Sequence, residues 1–317
     1  MWDTTAVDLH TFEPRSCPIV AQPRKMRPWD NHKPTPRNSL PLTRRACLKT
    51  TAAVLTTRAL PLYALQPLTI GIGTFCYHAL SLDRMIEELK TVLPHNGPHH
   101  QQIEMSLEQF MLLSHPQDDL FLSTRKKLDQ ANIRCVSYYA ATIKDDNDIV
   151  SAIRFAKFLG ATNITGEGAI SRELLQQIDR RVTAAGLTFA LHNHFMKEGK
   201  FPYQSPAEIL QALNGLSPNT GAAADTGHFA ACGYDTVDAI RKLAPRLKIV
   251  HLKDVKAVGN GDNVVLGTGI AKIAEVEREL HRQNFPHLAA IEYDQEGNDD
   301  VTVIMRENMK YAVEYSR

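Results

Sequence analysis

Thr188-Phe189-Ala190-Leu191-His192-Asn193-His194, then a helical stretch at 206–213, then Gly221-Ala222-Ala223-Ala224-Asp225-Thr226-Gly227-His228, decides how this chain is read. A short apolar run ends in ionisable residues, an amphipathic segment follows, and the next apolar run ends the same way. Runs of this length bounded by polar residues are buried strands, and helices between them make the strands parallel. Working outward, the unit recurs. Strands are predicted at 68–74, 102–105, 134–138, 163–165, 188–191, 221–224, 248–252 and 289–291. Helices are predicted at 82–92, 148–159, 174–185, 206–213, 237–243 and 270–282. The first carries Leu82, Met85, Ile86 and Leu89 at spacings of three and four. Gly160 and Gly186 stand where a helix C-cap precedes a strand. Eight such units in about 250 residues predict an α/β fold of the (β/α)₈ TIM-barrel type. A doubly wound sheet is the alternative, disfavoured because no G-x-G-x-x-G follows the first strand.

The barrel is assigned to residues 66–317. Residues 1–65 are rich in Pro, Arg and Asn without a helix or strand period, and are read as a disordered leader. Within them, Thr43-Arg44-Arg45-Ala46-Cys47-Leu48-Lys49 precedes a modestly apolar stretch. A paired arginine in that setting predicts a twin-arginine export signal and a periplasmic or other extracytoplasmic location. Changing both arginines to lysine tests it, since continued export would remove the reading. No run of about 18 apolar residues occurs, so stable membrane insertion is not expected.

Charge is uneven. The chain has 36 basic and 35 acidic residues, of which ten basic and four acidic lie in the first 65. The remaining body therefore holds 26 basic against 31 acidic groups, a charge of −5. A body of that sign is a poor nucleic-acid partner, because phosphate contacts dominate such binding. The five cysteines, Cys17, Cys47, Cys76, Cys135 and Cys232, contain no C-x-x-C pair, which argues against a disulfide framework or a cysteine zinc site.

In a TIM barrel the active site lies at the C-terminal ends of the strands. The predicted strands end near Glu104, at Glu167, at His192-Asn193-His194, at Asp225-Thr226-Gly227-His228, at His251-Leu252-Lys253-Asp254 and at Glu292-Tyr293-Asp294. One histidine at a strand end is usually a structural residue. Six endings with Asp, Glu or His on one rim are another matter, because carboxylates gathered there repel one another. A single divalent metal ion resolves that conflict. Mixed imidazole and carboxylate ligands suit Mn²⁺, Mg²⁺, Co²⁺ or Zn²⁺. Such an ion polarises a carbonyl, and a base beside it removes a carbon-bound proton. The resulting enediolate is reprotonated elsewhere, in an isomerase or epimerase, or expels a leaving group, in a lyase.

These endings carry a resemblance. Leu191-His192-Asn193-His194, Ala224-Asp225-Thr226-Gly227-His228, His251-Leu252-Lys253-Asp254, Leu266-Gly267-Thr268-Gly269 and Ile291-Glu292-Tyr293 resemble the xylose isomerase-like TIM-barrel proteins, the sugar phosphate isomerase/epimerase group. The resemblance implies that Asp225, His251 and Glu292 bind one divalent metal. Ketose epimerases of the group carry a glutamate on strand five as fourth ligand and acid/base, and here His192 stands there. Glu167, one strand earlier, is the alternative source of a carboxylate. His194 matches a histidine of inosose dehydratase-like relatives and is the expected general base. Its bland alternative is orienting His192 or Asp225. Glu292 doubles as a catalytic candidate. Lys253 is expected either to bind a substrate oxygen or to pair with Asp254. Glu104 and His228 are expected at the substrate. Gly267-Thr268-Gly269 is either a backbone nest for a polar group or a plain loop, the loop being favoured.

The implied function is a metal-dependent isomerase or epimerase acting on a free sugar or sugar derivative. The alternative is a lyase or dehydratase on a keto-sugar, keto-inositol or 3-keto glycoside. An endonuclease IV-like repair enzyme is disfavoured by the acidic body, and a non-catalytic sugar-binding barrel by the intact ligand types. Barrels of the group often pair, which implies a homodimer.

Overall fold

The computed structural model describes residues 67–93, 101–107, 117–294 and 300–316. The leader and its arginine pair lie outside them. In chain order the strands are β1 (Thr69–Gly73), β2 (Gln102–Met105), β3 (Arg134–Thr142), β4 (Asn163–Glu167), β5 (Thr188–His192), β6 (Thr220–Asp225), β7 (Leu247–Leu252), β8 (Asp254–Ala257), β9 (Asn260–Val264) and β10 (Leu288–Ile291). Eight of them close a barrel in the order β1-β10-β7-β6-β5-β4-β3-β2, and every neighbouring pair is parallel. The TIM barrel is therefore formed and the doubly wound sheet is not. Among the described residues no helix is long and apolar enough to cross a membrane.

Local chemistry explains the helix boundaries. Ser81, Asp145, Ser171, Ser205, Asp235 and Asp300 each accept a hydrogen bond from the backbone of the first turn that follows. Ser205 and Glu208 complete a reciprocal capping box. Gly160 and Gly186 end their helices in the left-handed region, at φ 76° and 71°, where a Cβ would be strained. Gly221 is required for another reason. A Cβ there would lie 2.0 Å from the carbonyl oxygen of Arg246, the residue just before β7.

Strand periodicity positions the site. Ala190, Ala223, Ile249, Leu288 and Ala290 pack together as a small buried cluster, separate from the main core. Side chains two residues apart share a face. From Ala190, Ala223, Ile249 and Ala290, the next residues on that face are His192, Asp225, His251 and Glu292. All four ionisable side chains are thus aimed at the same end of the barrel.

The structure contains four elements that the sequence pattern does not predict. Residues after β7, expected as loop, form the antiparallel β8–β9 hairpin. A six-residue helix, Thr226–Ala231, starts directly behind Asp225. Helices Gln117–Gln130 and Val301–Tyr315 were not read, and in the first the buried Leu120, Phe121 and Leu128 are too sparse to set a period. The hairpin is tied down by Asp254. Its carboxylate accepts from the backbone N–H groups of Val255, Gly267, Gly269 and Ala271 at 2.8–3.0 Å. The Gly267-Thr268-Gly269 stretch is therefore a nest, and the group it holds is Asp254, so this carboxylate is not Lys253's partner.

One buried acid carries a stability prediction. Glu277 in helix Ile273–Arg282 is fully buried, and neither carboxyl oxygen has a hydrogen-bond partner among the described residues. Burial raises its pKa from 4.5 to about 9. The folded state keeps the proton that the unfolded state loses above 4.5, so stability falls as pH rises from 4.5 to about 9. Glu277→Gln is expected to match the parent at pH 4 and to gain about 3 kcal/mol at pH 7, at 1.36 kcal/mol per pH unit. Urea unfolding at both values checks this. An equal difference at the two pH values would contradict it.

Candidate metal centre

At the C-terminal end of the barrel, His192, Asp225, His251 and Glu292 each present one ligand atom, and these four atoms lie within 4.8 Å of one another. All four residues are buried. His192 Nε2 is 3.0 Å from His251 Nδ1 and 3.8 Å from Asp225 Oδ2. His251 Nδ1 is 2.5 Å from Glu292 Oε2. Two imidazole nitrogens at 3.0 Å need a proton or a cation between them.

Asp225 has two oxygens with different duties. Oδ1 accepts from the backbone N–H of His228 at 2.7 Å and so caps helix Thr226–Ala231. Oδ2 is buried and has no hydrogen-bond partner among the described residues. Its ionisable neighbours are His192, His228 at 3.9 Å and the Lys253 ammonium at 3.6 Å. An orphaned carboxylate oxygen aimed at two imidazoles and a second carboxylate fits a divalent cation of the borderline kind.

Glu167 and Glu104, expected at the metal and at the substrate respectively, stand behind the two imidazoles instead. Glu167 Oε2 is 3.4 Å from His192 Nδ1, the nitrogen facing away from the cluster. It also accepts from the Tyr139 side chain. Burial pushes its carboxyl pKa up, but His192, His194 and Tyr139 together leave it below the ordinary value. Glu104 is buried, and its Oε1 is taken by the Ser137 and Thr165 hydroxyls. Its Oε2 is 2.7 Å from His251 Nε2.

Lys253 is 1% exposed, an extreme value for an ammonium group. Nζ donates to Glu292 Oε1 at 3.1 Å and to Asp294, and faces His228 Nε2 at 3.3 Å. Burial opposes its charge, but Asp294, Glu292 and Asp225 outweigh burial and hold its pKa well above the ordinary lysine value. In return, Lys253 and His251 overcome the burial of Glu292 and hold that carboxyl well below its ordinary range. Asp294, in sequence only the last residue of the ending Glu292-Tyr293-Asp294, has its pKa driven upward by burial.

His194 and His228 form a second imidazole pair outside the cluster, with ring centroids 4.1 Å apart. Nδ1 of each is buried without a hydrogen-bond partner among the described residues. Burial lowers the pKa of both, in His228 well below the ordinary value. His194 also meets Phe201, at 4.9 Å between centroids. Tyr139 presents its ring edge to His192 at 5.8 Å, whereas Tyr138 packs against Phe121 and Phe155. Of the two tyrosines, Tyr139 is the one beside the cluster.

Comparison with known proteins places this geometry. A family model described as "Xylose isomerase-like TIM barrel" matches residues 142–315. An inosose dehydratase of Bacillus anthracis is 27% identical over 139 residues, which is 38% of this chain. That alignment spans 45% of the relative, less than half its length. Among solved structures, the IOLI protein with a zinc atom is similar with a TM-score of 0.63 at 15% identity, over 78% of this chain and 98% of that one. L-ribulose 3-epimerase is similar with a TM-score of 0.62 at 17% identity, over 79% and 96%. At these identities the two structures speak for the fold alone.

Proposed function

This chain belongs to the xylose isomerase-like TIM barrel family, and we propose that it is a divalent-metal-dependent enzyme that removes a carbon-bound proton beside the carbonyl of an uncharged sugar derivative. Isomerisation or epimerisation is the leading outcome. The observation that carries the reading is the convergence of His192, Asp225, His251 and Glu292 with an orphaned Asp225 oxygen among them. The zinc atom named for the structurally similar IOLI protein supports it. A divalent ion held by these four residues would polarise the substrate carbonyl and acidify the neighbouring C–H bond.

This chain's own residues supply the rest. His194 is the proposed base: burial keeps its imidazole neutral at pH 7, and its Nδ1 is unoccupied by any protein group described. Lys253, held by Glu292 and Asp294, places a fixed positive charge at the edge of the cluster. It is fully engaged by carboxylates. A phosphate or carboxylate on the substrate would meet Asp225, Glu292 and Asp294, which already engage Lys253, and this favours a neutral sugar.

A second reading, elimination by a lyase or dehydratase, is favoured by one feature of the site. Strand five contributes His192, an imidazole, where a two-carboxylate epimerase needs a second glutamate. The sequence match to inosose dehydratase points the same way. Incubating Mn²⁺-loaded protein with free sugars, keto-inositols and 3-keto glycosides, with products identified by NMR, tests both. A rearranged sugar of unchanged composition supports the first reading and loss of a leaving group the second. No product from any of these classes would overturn the proposal.

A further inference from the structure

We infer that Glu104 is a positioning residue for the metal centre, holding the ring of His251 from behind so that Nδ1 faces it. This inference rests on the metal reading above. The ring of His251 turns Nδ1 toward His192 and Glu292, at 3.0 and 2.5 Å, and Nε2 toward Glu104, at 2.7 Å. With Nε2 against the Glu104 carboxylate, the ring of His251 is held with Nδ1 facing the cluster. A ligand histidine whose other nitrogen meets a carboxylate is fixed in tautomer and orientation and made more basic.

Glu104 comes from β2 and His251 from β7, strands separated by β1 and β10 around the barrel wall. The contact therefore crosses the interior. It is braced from the far side. Glu104 Oε1 accepts from Ser137 Oγ at 2.7 Å and from Thr165 Oγ1 at 2.5 Å. Asn163 Nδ2 donates to Ser137 Oγ at 2.9 Å, and Thr188 Oγ1 donates to Asn163 Oδ1 at 2.8 Å. Two hydroxyls thus occupy Oε1 and leave Oε2 for the imidazole. Hydroxyl and amide side chains inside a barrel are costly unless fully paired. Here they form one chain of polar groups from β5 through β4 and β3 to β2, ending on a ligand of the cluster. An apolar filling would pack this space as well. What the polar chain adds is a fixed direction for one carboxylate.

The test is Zn²⁺ binding by calorimetry on the full chain, with ¹⁵N-histidine NMR and thermal unfolding beside it. Glu104→Gln preserves shape and removes the charge. It is expected to weaken Zn²⁺ binding by about 10–100-fold, the usual cost of losing such a partner, while unfolding stays cooperative. Thr165→Val keeps the carboxylate and removes one brace, and is expected to weaken binding less, in the same direction. In the parent, Zn²⁺ should move the Nδ1 resonance of His251 and leave Nε2 protonated. Glu104→Gln binding Zn²⁺ as tightly as the parent would overturn this inference and leave the metal reading standing. A parent chain that takes no Zn²⁺ would overturn both. If Glu104→Gln does not fold, parental affinity in Thr165→Val overturns the inference.

Discussion

Asp225→Asn is expected to abolish binding of a divalent ion while leaving the barrel folded. The change is selective because the two oxygens of Asp225 do separate work. Asparagine keeps an acceptor for the His228 N–H, so helix Thr226–Ala231 retains its cap. It loses the anionic oxygen that the described residues leave without a hydrogen bond. The set that remains is two imidazoles and one carboxylate. Removing a direct ligand should cost more than the roughly 10–100-fold typical of a supporting residue. Asp225→Ala adds a second, unwanted effect, about 1 kcal/mol for the lost cap. Calorimetry with Mn²⁺ and thermal unfolding check the prediction. Parental Mn²⁺ affinity in Asp225→Asn would remove the cluster as a metal site.

The second large effect is expected at His194. Proton abstraction needs a neutral base that is not itself consumed as a ligand. His194 lies two residues beyond His192, just past the end of β5, and its Nδ1 has no protein partner among the described residues. His192 Nε2 is committed to the cluster, and its Nδ1 lies 3.4 Å from Glu167 Oε2. Burial lowers the His194 pKa below its ordinary 6.5, so the ring is neutral at pH 7 and stays competent until the pH falls below that lowered value. His194→Ala is expected to keep Mn²⁺ affinity and to lose about 10²–10⁴-fold in turnover. Parental turnover in this variant would move the base elsewhere, with Glu292 or Glu167 next in line.

The sequence made the barrel legible because each strand–helix unit announces itself: an apolar run, an ionisable ending, then a helical period closed by a residue such as Gly160 or Gly186. The four clustered residues were legible for the same reason, since strand ends converge. Their neighbours were harder. Glu104 looks like another rim carboxylate in sequence, yet strand alternation and its place near the end of a four-residue strand put it beneath the rim. Only the side-chain geometry across the barrel shows that it meets His251. Lys253 and Asp254 are adjacent and opposite in charge, which invites a pairing. The pleat sends them apart instead, Lys253 to Glu292 and Asp294, Asp254 to the backbone of residues 255–271. Asp294 carries no motif, and its role follows only from its contact with a buried ammonium.

The central claim is that this cluster exists to make a carbon-bound hydrogen acidic. Its most direct measurement is hydrogen exchange by the Mn²⁺-loaded protein in D₂O, with free sugars and keto-sugars as substrates, followed by NMR. Deuterium is expected at the carbon beside the carbonyl of the substrate or product, in a reaction that stops when Mn²⁺ is chelated and in Asp225→Asn. A substrate that turns over without taking up deuterium from D₂O, at an undiminished rate after chelation, would contradict the account.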